Sequence, residues 1–320
     1  MHKKPLGNTG LQIPPLVFGG NVFGWSADEK TSFSLLDACL DAGLNTIDTA
    51  DVYTRMGNGF YGGESETVIG NWLKSRRGRD RVIIATKLGI EMGPGLQGLS
   101  AGYIRTAVEA SLQRLQTDYI DLYQAHFDDP QTPLEETLSA FAELLRSGKV
   151  RAIGASNYSA ARLREALETS RRIGLPRFET FQPHYNLYDR ATFEGELQAL
   201  CLQEGLGVLT YFSLANGFLS GKYRSRADLG SHNLRAMWLD RYFTPRGERI
   251  LAALDEVAVH SRATPAQVAL AWLMTRPGVT APIASATTLA QLQELTGAIH
   301  LKLDEEALAA LESASGAEAP

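Results

Sequence analysis

Two short stretches, VIIAT at residues 82–86 and IDLYQ at residues 120–124, decide the fold that this sequence predicts. Like most strand candidates in the chain, they are largely apolar on both faces and are soon followed by polar residues or glycine. That is the pattern of strands buried in a parallel sheet. Between them, residues 104–115 repeat apolar side chains at the spacing of one helix face. This order of elements predicts two parallel strands joined by a crossover helix.

The same alternation of strand and helix continues along the chain in both directions. Further helical patterns cover residues 28–42, 133–146, 160–173, 190–203 and 264–274. The other strand candidates are residues 16–19, 46–49, 152–155, 180–182, 207–211 and 280–284. Eight strands alternating with helices favour a closed (β/α)8 TIM barrel of the α/β class, with an open doubly wound sheet as the alternative. Gly-Asn-Thr-Gly within residues 4–13 predicts a β-hairpin ahead of the barrel.

The chain is expected to fold as one domain. A length of 320 residues suits a single barrel over residues 1–320, and no break in composition marks a boundary. Residues 214–247 interrupt the rhythm after the seventh barrel strand with a long polar segment. A long loop in this place is typical of a flap over a cofactor or substrate. Residues 313–320 are expected to form a disordered tail.

Charge and composition narrow the range of partners. With 31 Lys and Arg against 36 Asp and Glu, the formal net charge is −5, and no basic stripe alternates with aromatic residues, so nucleic acid is not expected as a partner. No run of about 18 apolar residues indicates a membrane span. Cys39 and Cys201 lie in apolar helical patterns, which suits reduced thiols. We therefore expect a cytoplasmic protein acting on a small molecule, whose oligomeric state the sequence does not reveal.

Two glycine-rich segments resemble a dinucleotide-binding fingerprint. Residues 57–62 and 93–98 both match G-x-G-x-x-G. The fingerprint requires the glycines directly after a strand and at the start of a helix, and both segments are displaced from their strands. We interpret both as loops. Neither an HExxH motif nor metal-ligand spacing of His and Cys is present, so no metal site is predicted.

The predicted chemistry lies at the carboxyl ends of three neighbouring strands. Asp48 and Tyr53 follow the second barrel strand, Lys87 follows the third and His126 follows the fourth. A barrel would bring these ends together at one mouth. A free phenol titrates near ~10, and a nearby ammonium lowers that pKa, so Tyr53 beside Lys87 would be a better acid. Asp48 would keep Lys87 charged, and His126 would donate to the substrate oxygen or relay the proton.

Each of these residues also has an ordinary structural interpretation. Asp48 could cap a turn, Tyr53 could anchor a loop, Lys87 could pair with any acidic neighbour, and His126 could be a hydrogen-bonded structural histidine. Their joint occurrence at matched strand ends favours the catalytic interpretation.

Five segments carry a family resemblance. Residues 43–53 with 63–70, then 85–87, 118–126 and 148–157, resemble the signature motifs of the aldo-keto reductases. The resemblance runs from the N-terminal hairpin to about residue 312. The pattern is most similar to the bacterial and channel-β-subunit-like branches of that family.

The resemblance implies a barrel that binds a nicotinamide dinucleotide without a Rossmann fold. It makes Asp48, Tyr53, Lys87 and His126 a catalytic tetrad with Tyr53 as the acid. It also implies a row of cofactor contacts that starts at the carboxamide, continues through the ring-stacking Tyr211 and the pyrophosphate, and ends at the adenosine. These are Ser156, Asn157, Gln182, Tyr211, Ser213, Leu214, Gly217, Lys222, Ser285, Thr287, Gln291 and Glu294.

This sequence departs from the family pattern at two places along the cofactor. The usual Tyr-Ser-Pro-Leu is replaced by residues 211–214, Tyr-Phe-Ser-Leu, and the Asn that meets adenine is replaced by Leu295. The cations that other branches use for the 2′-phosphate are also missing there. Arginines of the flap could compensate, namely Arg224, Arg226 or Arg235. NADP(H) is slightly favoured, and NAD(H) remains open.

The resulting hypothesis is an enzyme that reversibly reduces aldehydes or ketones, sugar aldehydes among them, to alcohols. The cofactor carries the hydride, and the protein supplies orientation and the proton. Val22, Phe23, Trp25 and Phe127 would line an apolar substrate pocket. Two alternatives are a cofactor-sensing regulatory subunit with weak turnover and a cofactor-independent barrel isomerase.

Overall fold

A computed structural model describes residues 2–55, 59, 61–229 and 238–316. Within these residues, eight parallel strands form a closed barrel, which confirms the predicted TIM barrel and excludes the open doubly wound sheet. The barrel strands are β3 (Val17–Gly19), β4 (Thr46–Asp48), β5 (Ile83–Leu88), β6 (Ile120–Ala125), β7 (Val150–Ser156), β8 (Thr180–Gln182), β9 (Gly207–Thr210) and β10 (Val279–Ala284). They pair in chain order, and β10 closes the barrel against β3 with Ile283 opposite Val17.

The predicted hairpin plugs one end of this barrel. It consists of the antiparallel strands β1 (Lys4–Pro5) and β2 (Gln12–Ile13). Leu6 and Ile13 are buried in one apolar cluster with inward-facing residues of the barrel strands, Ala85 and Leu122 among them. The hairpin therefore closes the amino-terminal end, and the mouth at the carboxyl ends of the strands remains for function.

Helices surround the barrel and bury one face against it. In the described part of the chain they are α1 (Glu29–Asp41), α2 (Glu64–Arg76), α3 (Ala101–Leu115), α4 (Leu134–Arg146), α5 (Ala160–Ile173), α6 (Glu196–Glu204), α7 (Pro245–Ser261), α8 (Pro265–Thr275), α9 (Leu289–Gly297) and α10 (Glu305–Ser315). The start of α8 shows how the sequence sets a helix end. Thr264 accepts from the Gln267 amide while the Gln267 side chain accepts from the Thr264 amide, a complete capping box.

Two predicted boundaries differ from the observed ones. The helix expected over residues 190–203 begins only at Glu196, because Gly195 has φ of 96° and cannot continue a right-handed helix. The long polar segment is shorter than expected, since α7 already begins at Pro245, capped by Thr244. Before it, the described residues of this segment include the 3₁₀ turns Ala215–Ser220, Arg226–Leu229 and Asp240–Tyr242.

The C-terminal segment and the cysteines complete the fold. Helix α10 reaches Ser315, so residues 313–315 of the expected tail are helical, and residues 317–320 lie outside the described residues. Cys39 and Cys201 are both unpaired and buried. Among the helices of the described residues, none combines the length and the apolar character that crossing a membrane requires.

Candidate active site

A fully buried lysine forms the centre of the site. Lys87 lies on β5 with an exposed fraction of 0%. Its ammonium donates to Asp48 Oδ1 at 2.6 Å, to the Thr49 carbonyl at 2.7 Å and to the Tyr53 hydroxyl at 2.9 Å. An ammonium has three hydrogens to donate, so these bonds satisfy it completely. The geometry brings together three of the four residues of the predicted tetrad.

Asp48 connects this cluster to the opposite wall of the barrel. Its second carboxylate oxygen accepts a hydrogen bond from Gln182 Nε2 at 2.9 Å. Tyr53 approaches Asp48 Oδ1 at 3.5 Å, a longer contact than its bond with Lys87. The sequence predicted Gln182 as a cofactor contact, and the structure shows it bonded to Asp48. It holds the Asp48 carboxylate in place from β8.

His126 is the fourth member and lies at the end of β6. Its ring meets the Tyr53 ring edge to face, with 6.1 Å between centroids. The pKa of His126 is well below its usual range, because burial disfavours the charged imidazolium and the Lys87 ammonium repels it. His126 is therefore neutral near pH 7. Its Nδ1 has no hydrogen-bond partner among the described residues.

The charges of the cluster determine which of its groups are protonated. Burial raises the pKa of the Tyr53 phenol, and the Lys87 ammonium only partly opposes this shift, so the lowered pKa expected from the sequence is not what the structure gives. Burial alone would lower the pKa of Lys87, but Asp48 and Tyr53 outweigh it and raise that pKa. At neutral pH the site therefore holds a protonated phenol against a charged ammonium. Such a pair can release the phenol proton and stabilise the phenolate left behind.

A second group of polar side chains lies beside the tetrad. Asn157, with φ of 59°, donates to the His126 carbonyl at 2.9 Å and to Ser156 Oγ at 3.0 Å. Ser156 in turn donates to the Gln182 carbonyl at 2.8 Å, and Tyr211 donates to Asn157 Oδ1 at 2.6 Å. The structure thus brings together all four residues expected around a carboxamide and its ring.

The unused hydrogen-bonding capacity of this group fits a primary amide. Within the described part of the chain, Ser156 Oγ and Asn157 Oδ1 each retain an acceptor lone pair, and Gln182 Nε2 retains one hydrogen. A carboxamide offers two N–H donors and one carbonyl acceptor. Two acceptors and one donor match that set.

The residues predicted to contact the pyrophosphate differ in their surroundings. Gly217 has φ of 96°, and a Cβ there would lie 3.4 Å from Lys222 Nζ, so these two residues are neighbours. Ser213 is buried, and its hydroxyl donates to the Thr210 carbonyl at 3.0 Å. Leu214 packs against the core. Lys222 is the cation of this group, and its ammonium lies 4.9 Å from the centroid of the Tyr223 ring.

The predicted adenosine residues lie at and beyond the end of β10. Thr287 donates to Gln291 Oε1 through its amide at 2.8 Å and its hydroxyl at 3.0 Å. Ser285 instead donates to Asn21 at 2.5 Å. Glu294, the remaining residue of this group, lies on α9.

The flap arginines expected to compensate for missing cations are already engaged. Arg224 makes a two-pronged ion pair with Asp255 at 2.7 and 2.8 Å, and Arg226 pairs with Asp240. Arg235 lies outside the described residues. The pairing of Arg224 and Arg226 reduces the positive charge that they can offer a phosphate.

The predicted substrate pocket needs a correction. Trp25 and Phe127 are exposed, at 37% and 47% of their surface, as a pocket lining requires. Val22 and Phe23 are buried at 3% and 0%, and Phe23 stacks on Phe18 in the core. Their apolar side chains pack beneath the mouth because burial there removes them from water. They do not line it.

Several residues that follow β8 and β9 contact the predicted site but were not predicted from the sequence. His184 stacks on Tyr211 and pairs with Asp189, and Asn186 donates to the Phe212 carbonyl at 3.0 Å. Phe212 is 40% exposed with φ of 51°, an unusual conformation for a bulky residue. His184 could have been identified by its position just beyond a strand end, which is the criterion that identified the tetrad.

Residues 15–315 match the model of the Aldo/keto reductase family, which is nearly the whole chain. The chain is an aldo-keto reductase. Among similar proteins, this aldo-keto reductase is 36% identical over 310 residues to the uncharacterized oxidoreductase YrpG of Bacillus subtilis (strain 168), covering 95% of this chain and 92% of YrpG. It is 33% identical over 317 residues to the aldo-keto reductase YhdN of the same organism, covering 96% and 91%.

A relative of a different description is also similar over almost the full length. A probable voltage-gated potassium channel subunit beta of Arabidopsis thaliana is 33% identical over 311 residues, covering 94% of this aldo-keto reductase and 92% of the relative. The family membership confirms the predicted class of enzyme, an oxidoreductase of the kind that generally uses NAD(P)H.

Proposed function

We propose that this aldo-keto reductase reversibly reduces aldehydes and ketones to alcohols, with Tyr53 as the proton donor. The observation that carries this proposal is the contact of 2.9 Å between the Tyr53 hydroxyl and the fully buried Lys87 ammonium. When bound, the reduced nicotinamide supplies a hydride to the carbonyl carbon of the substrate. The protein has to supply the proton that the developing alkoxide oxygen takes up.

Tyr53 delivers that proton from its phenol oxygen. The phenolate left behind is stabilised by Lys87, whose charge is maintained by Asp48 at 2.6 Å. His126 is neutral, so it donates a hydrogen bond to the substrate oxygen and orients the carbonyl without competing for the proton. In the oxidative direction the same phenolate accepts the alcohol proton.

The proposed cofactor contacts follow from the hydrogen-bonding capacity of the site. Ser156 and Asn157 accept from the amide N–H groups of the nicotinamide, and Gln182 donates to its carbonyl. Tyr211 stacks on the ring. Farther along, the pyrophosphate contacts Ser213, Leu214, Gly217 and Lys222, and the adenosine contacts Ser285, Thr287, Gln291 and Glu294.

We propose NADP(H) as the slightly favoured cofactor, with NAD(H) as the alternative. Thr287 and Gln291 lie at the start of α9, where a helix N-terminus favours a 2′-phosphate. Against this, Arg224 and Arg226 are already paired with carboxylates. Because Arg224 and Arg226 are engaged in ion pairs, we expect kcat/KM for NADPH and NADH to differ by less than about tenfold, which corresponds to about 1.4 kcal/mol.

The substrate side of the mouth favours a compound with an apolar body. Phe127 stacks on His126 with 5.6 Å between ring centroids, and it is about half exposed. Trp25 and Phe212 add two further exposed aromatic rings. We propose that they contact the part of the substrate away from the carbonyl. A purified-enzyme panel of aryl and alkyl aldehydes, ketones and sugar aldehydes, run with NADPH and NADH, tests whether compounds with an apolar body are preferred.

The substitution Tyr53→Phe tests the proposed acid. It removes the hydroxyl and keeps the ring, so we expect kcat/KM to fall by about 10² to 10⁴ while the cofactor Kd changes less than about twofold. Tyr61→Phe is the matched control, because Tyr61 is exposed at 83%. Turnover near the wild-type value in Tyr53→Phe, with cofactor binding intact, would show that the assigned acid is wrong.

The similarity to a probable channel β subunit favours a second candidate function. In a cofactor-sensing regulatory subunit, the same residues would bind the dinucleotide tightly and turn over slowly. The aldehyde panel separates the two functions. Slow turnover on every substrate, together with cofactor that co-purifies with the protein, would favour the regulatory function.

A further inference from the structure

We propose that His184 is a positioning residue that holds the Tyr211 ring in place for the nicotinamide. This inference rests on the proposed function, which assigns Tyr211 to ring stacking. His184 is neither a member of the tetrad nor one of the proposed cofactor contacts. It follows β8 by two residues and acts through Tyr211.

The first observation is the contact between the two rings. His184 and Tyr211 are stacked, with centroids 5.4 Å apart and planes 26° from parallel. Their backbones are joined as well, because the Tyr211 amide donates to the Pro183 carbonyl at 3.0 Å. At its far end the Tyr211 hydroxyl donates to Asn157 at 2.6 Å. The Tyr211 ring is thus held at its face by His184 and at its hydroxyl by Asn157.

The second observation is that His184 is itself held by a buried carboxylate. His184 Nε2 lies 3.0 Å from Asp189 Oδ2, whose side chain is only 4% exposed. The same oxygen accepts from Asn186 at 3.0 Å and from the Tyr242 hydroxyl at 2.8 Å, and Arg241 bonds the other oxygen. Burial would raise the pKa of Asp189, but the contacts with His184, Asn186 and Tyr242 lower it to about 2.

These bonds link the end of the long polar segment to the cofactor side of the mouth. Arg241 and Tyr242 belong to the 3₁₀ turn Asp240–Tyr242, and both contact Asp189. Asp189 fixes the His184 ring, and that ring supports Tyr211. The part of His184 that contacts Tyr211 is its flat aromatic face, whereas the part that contacts Asp189 is a ring nitrogen. The two contributions can therefore be separated by substitution.

Two variants separate them. His184→Phe keeps an aromatic face for Tyr211 and loses the nitrogen, while His184→Gln keeps a donor for Asp189 and loses the ring. Affinity is measured by quenching of tryptophan fluorescence, for NADPH and for 2′-phospho-ADP-ribose, which lacks the nicotinamide. If NADH binds more tightly to the wild type, NADH and ADP-ribose replace this pair. Tyr211→Ala serves as the reference.

If His184 positions Tyr211, His184→Gln weakens NADPH binding by about tenfold and changes 2′-phospho-ADP-ribose binding by less than about twofold. His184→Phe keeps both affinities within about threefold of the wild type. The proposal is overturned if His184→Gln leaves NADPH binding unchanged, if it weakens both ligands equally, or if His184→Phe binds as poorly as His184→Gln.

The same measurements show when the proposed function itself is at fault. If the wild type binds neither dinucleotide, the proposed function fails, and the role of His184 is overturned with it. If Tyr211→Ala leaves NADPH binding unchanged, the stacking assignment of Tyr211 is wrong, and the role of His184 is overturned with it. A loss in Tyr211→Ala without a loss in His184→Gln overturns only the role of His184.

Discussion

At the scale of the residue, the site depends on buried charges that are partnered. Lys87 and Asp48 are both excluded from water, and each compensates the other at 2.6 Å. Removing one member of such a pair leaves an isolated charge in the interior, which costs far more than the loss of a surface ion pair. The same pair therefore contributes to folding as well as to the proposed catalysis.

We predict that Lys87→Met lowers the free energy of unfolding by about 3 to 5 kcal/mol. The double variant Lys87→Met with Asp48→Asn should lose less than Lys87→Met alone, because it no longer buries an unpaired carboxylate. Lys149→Met is the control. Lys149 pairs with Glu109 on the surface, and we expect a loss below about 1 kcal/mol. Urea unfolding measures all three, and a double variant that loses as much as Lys87→Met or more would contradict the coupling.

Asp51 is a second buried carboxyl group, and its surroundings differ from those of Asp48. It is 1% exposed, and neither of its oxygens has a hydrogen bond within the part of the chain that the structure describes. Burial, together with the nearby Glu66 carboxylate, raises the pKa of Asp51 to about 8. The folded protein therefore keeps this proton up to about pH 8, whereas the unfolded chain releases it near pH ~4.

This difference predicts a pH dependence of stability. Between these two pKa values the unfolded state binds fewer protons, so Asp51 makes stability fall by up to about 1.4 kcal/mol for each unit that the pH rises. Asp51→Asn removes this slope with little change in shape. Measured at pH 5.5 and pH 7.5, the variant should gain stability relative to the wild type at the higher pH. Parallel stability curves would contradict the assignment.

At the scale of the element, close packing of α2 on α3 depends on one glycine. A Cβ at Gly70 would lie 2.1 Å from the Arg114 carbonyl, well inside any allowed contact. We predict that Gly70→Ala lowers the free energy of unfolding by about 2 kcal/mol. Gly102 in α3 has open space around its Cβ position. Gly102→Ala should therefore stabilise by about 0.5 kcal/mol, and equal effects at both sites would contradict the packing argument.

The elements also show which features a single sequence can predict. The strands were predictable because a strand buried on both faces is a short apolar run, and the strand over residues 180–182 has the predicted bounds. Helix α2 was not identified by periodicity, because Ser65 and Glu66 are buried polar residues in its first turn. Their partners, Gly20, Thr86 and Arg114, lie in other elements. The sequence alone does not show such partners.

The same limit applies to the candidate site. The tetrad was predictable because each member lies at or just beyond a strand end, and parallel strands bring those ends together. The second contact of Gln182, its bond to Asp48, was not predictable. Those residues are 134 positions apart, and the bond depends on the diameter of the barrel. The burial of Phe23 was also not predictable, since the side chain of a loop residue near the mouth can point into the core or into the solvent.

At the scale of the whole molecule, the proposed tasks are divided between the two halves of the chain. Strands β4 to β6 and the segments that follow them supply the proposed proton-transfer residues, while β7 to β10 and the segments that follow them supply the proposed cofactor contacts. The bond between Gln182 and Asp48 connects the two sets. The barrel is closed only when both halves of the chain are folded. A ligand that contacts the second half therefore stabilises the first half as well.

We predict that cofactor binding raises the stability of the entire barrel. At a concentration of 100 times its Kd, a ligand that binds only the folded state adds about 2.7 kcal/mol, which differential scanning fluorimetry detects as a higher Tm. Tyr53→Phe should show the same shift as the wild type, because its hydroxyl is needed for the proton and not for binding. Tyr211→Ala should show a smaller shift at the same concentration. A loss of the shift in Tyr53→Phe would contradict this division of tasks.

Closure of the barrel by β10 has a consequence for biosynthesis. Val279 of β10 pairs with Val208 of β9, and Ile283 pairs with Val17 of β3. Until residues 279–284 emerge from the ribosome, β3 and β9 are therefore two unpaired sheet edges, which can associate with other chains. We expect these two edges to be sites of aggregation during this interval. When β10 enters, it removes both edges and completes the mouth in one step.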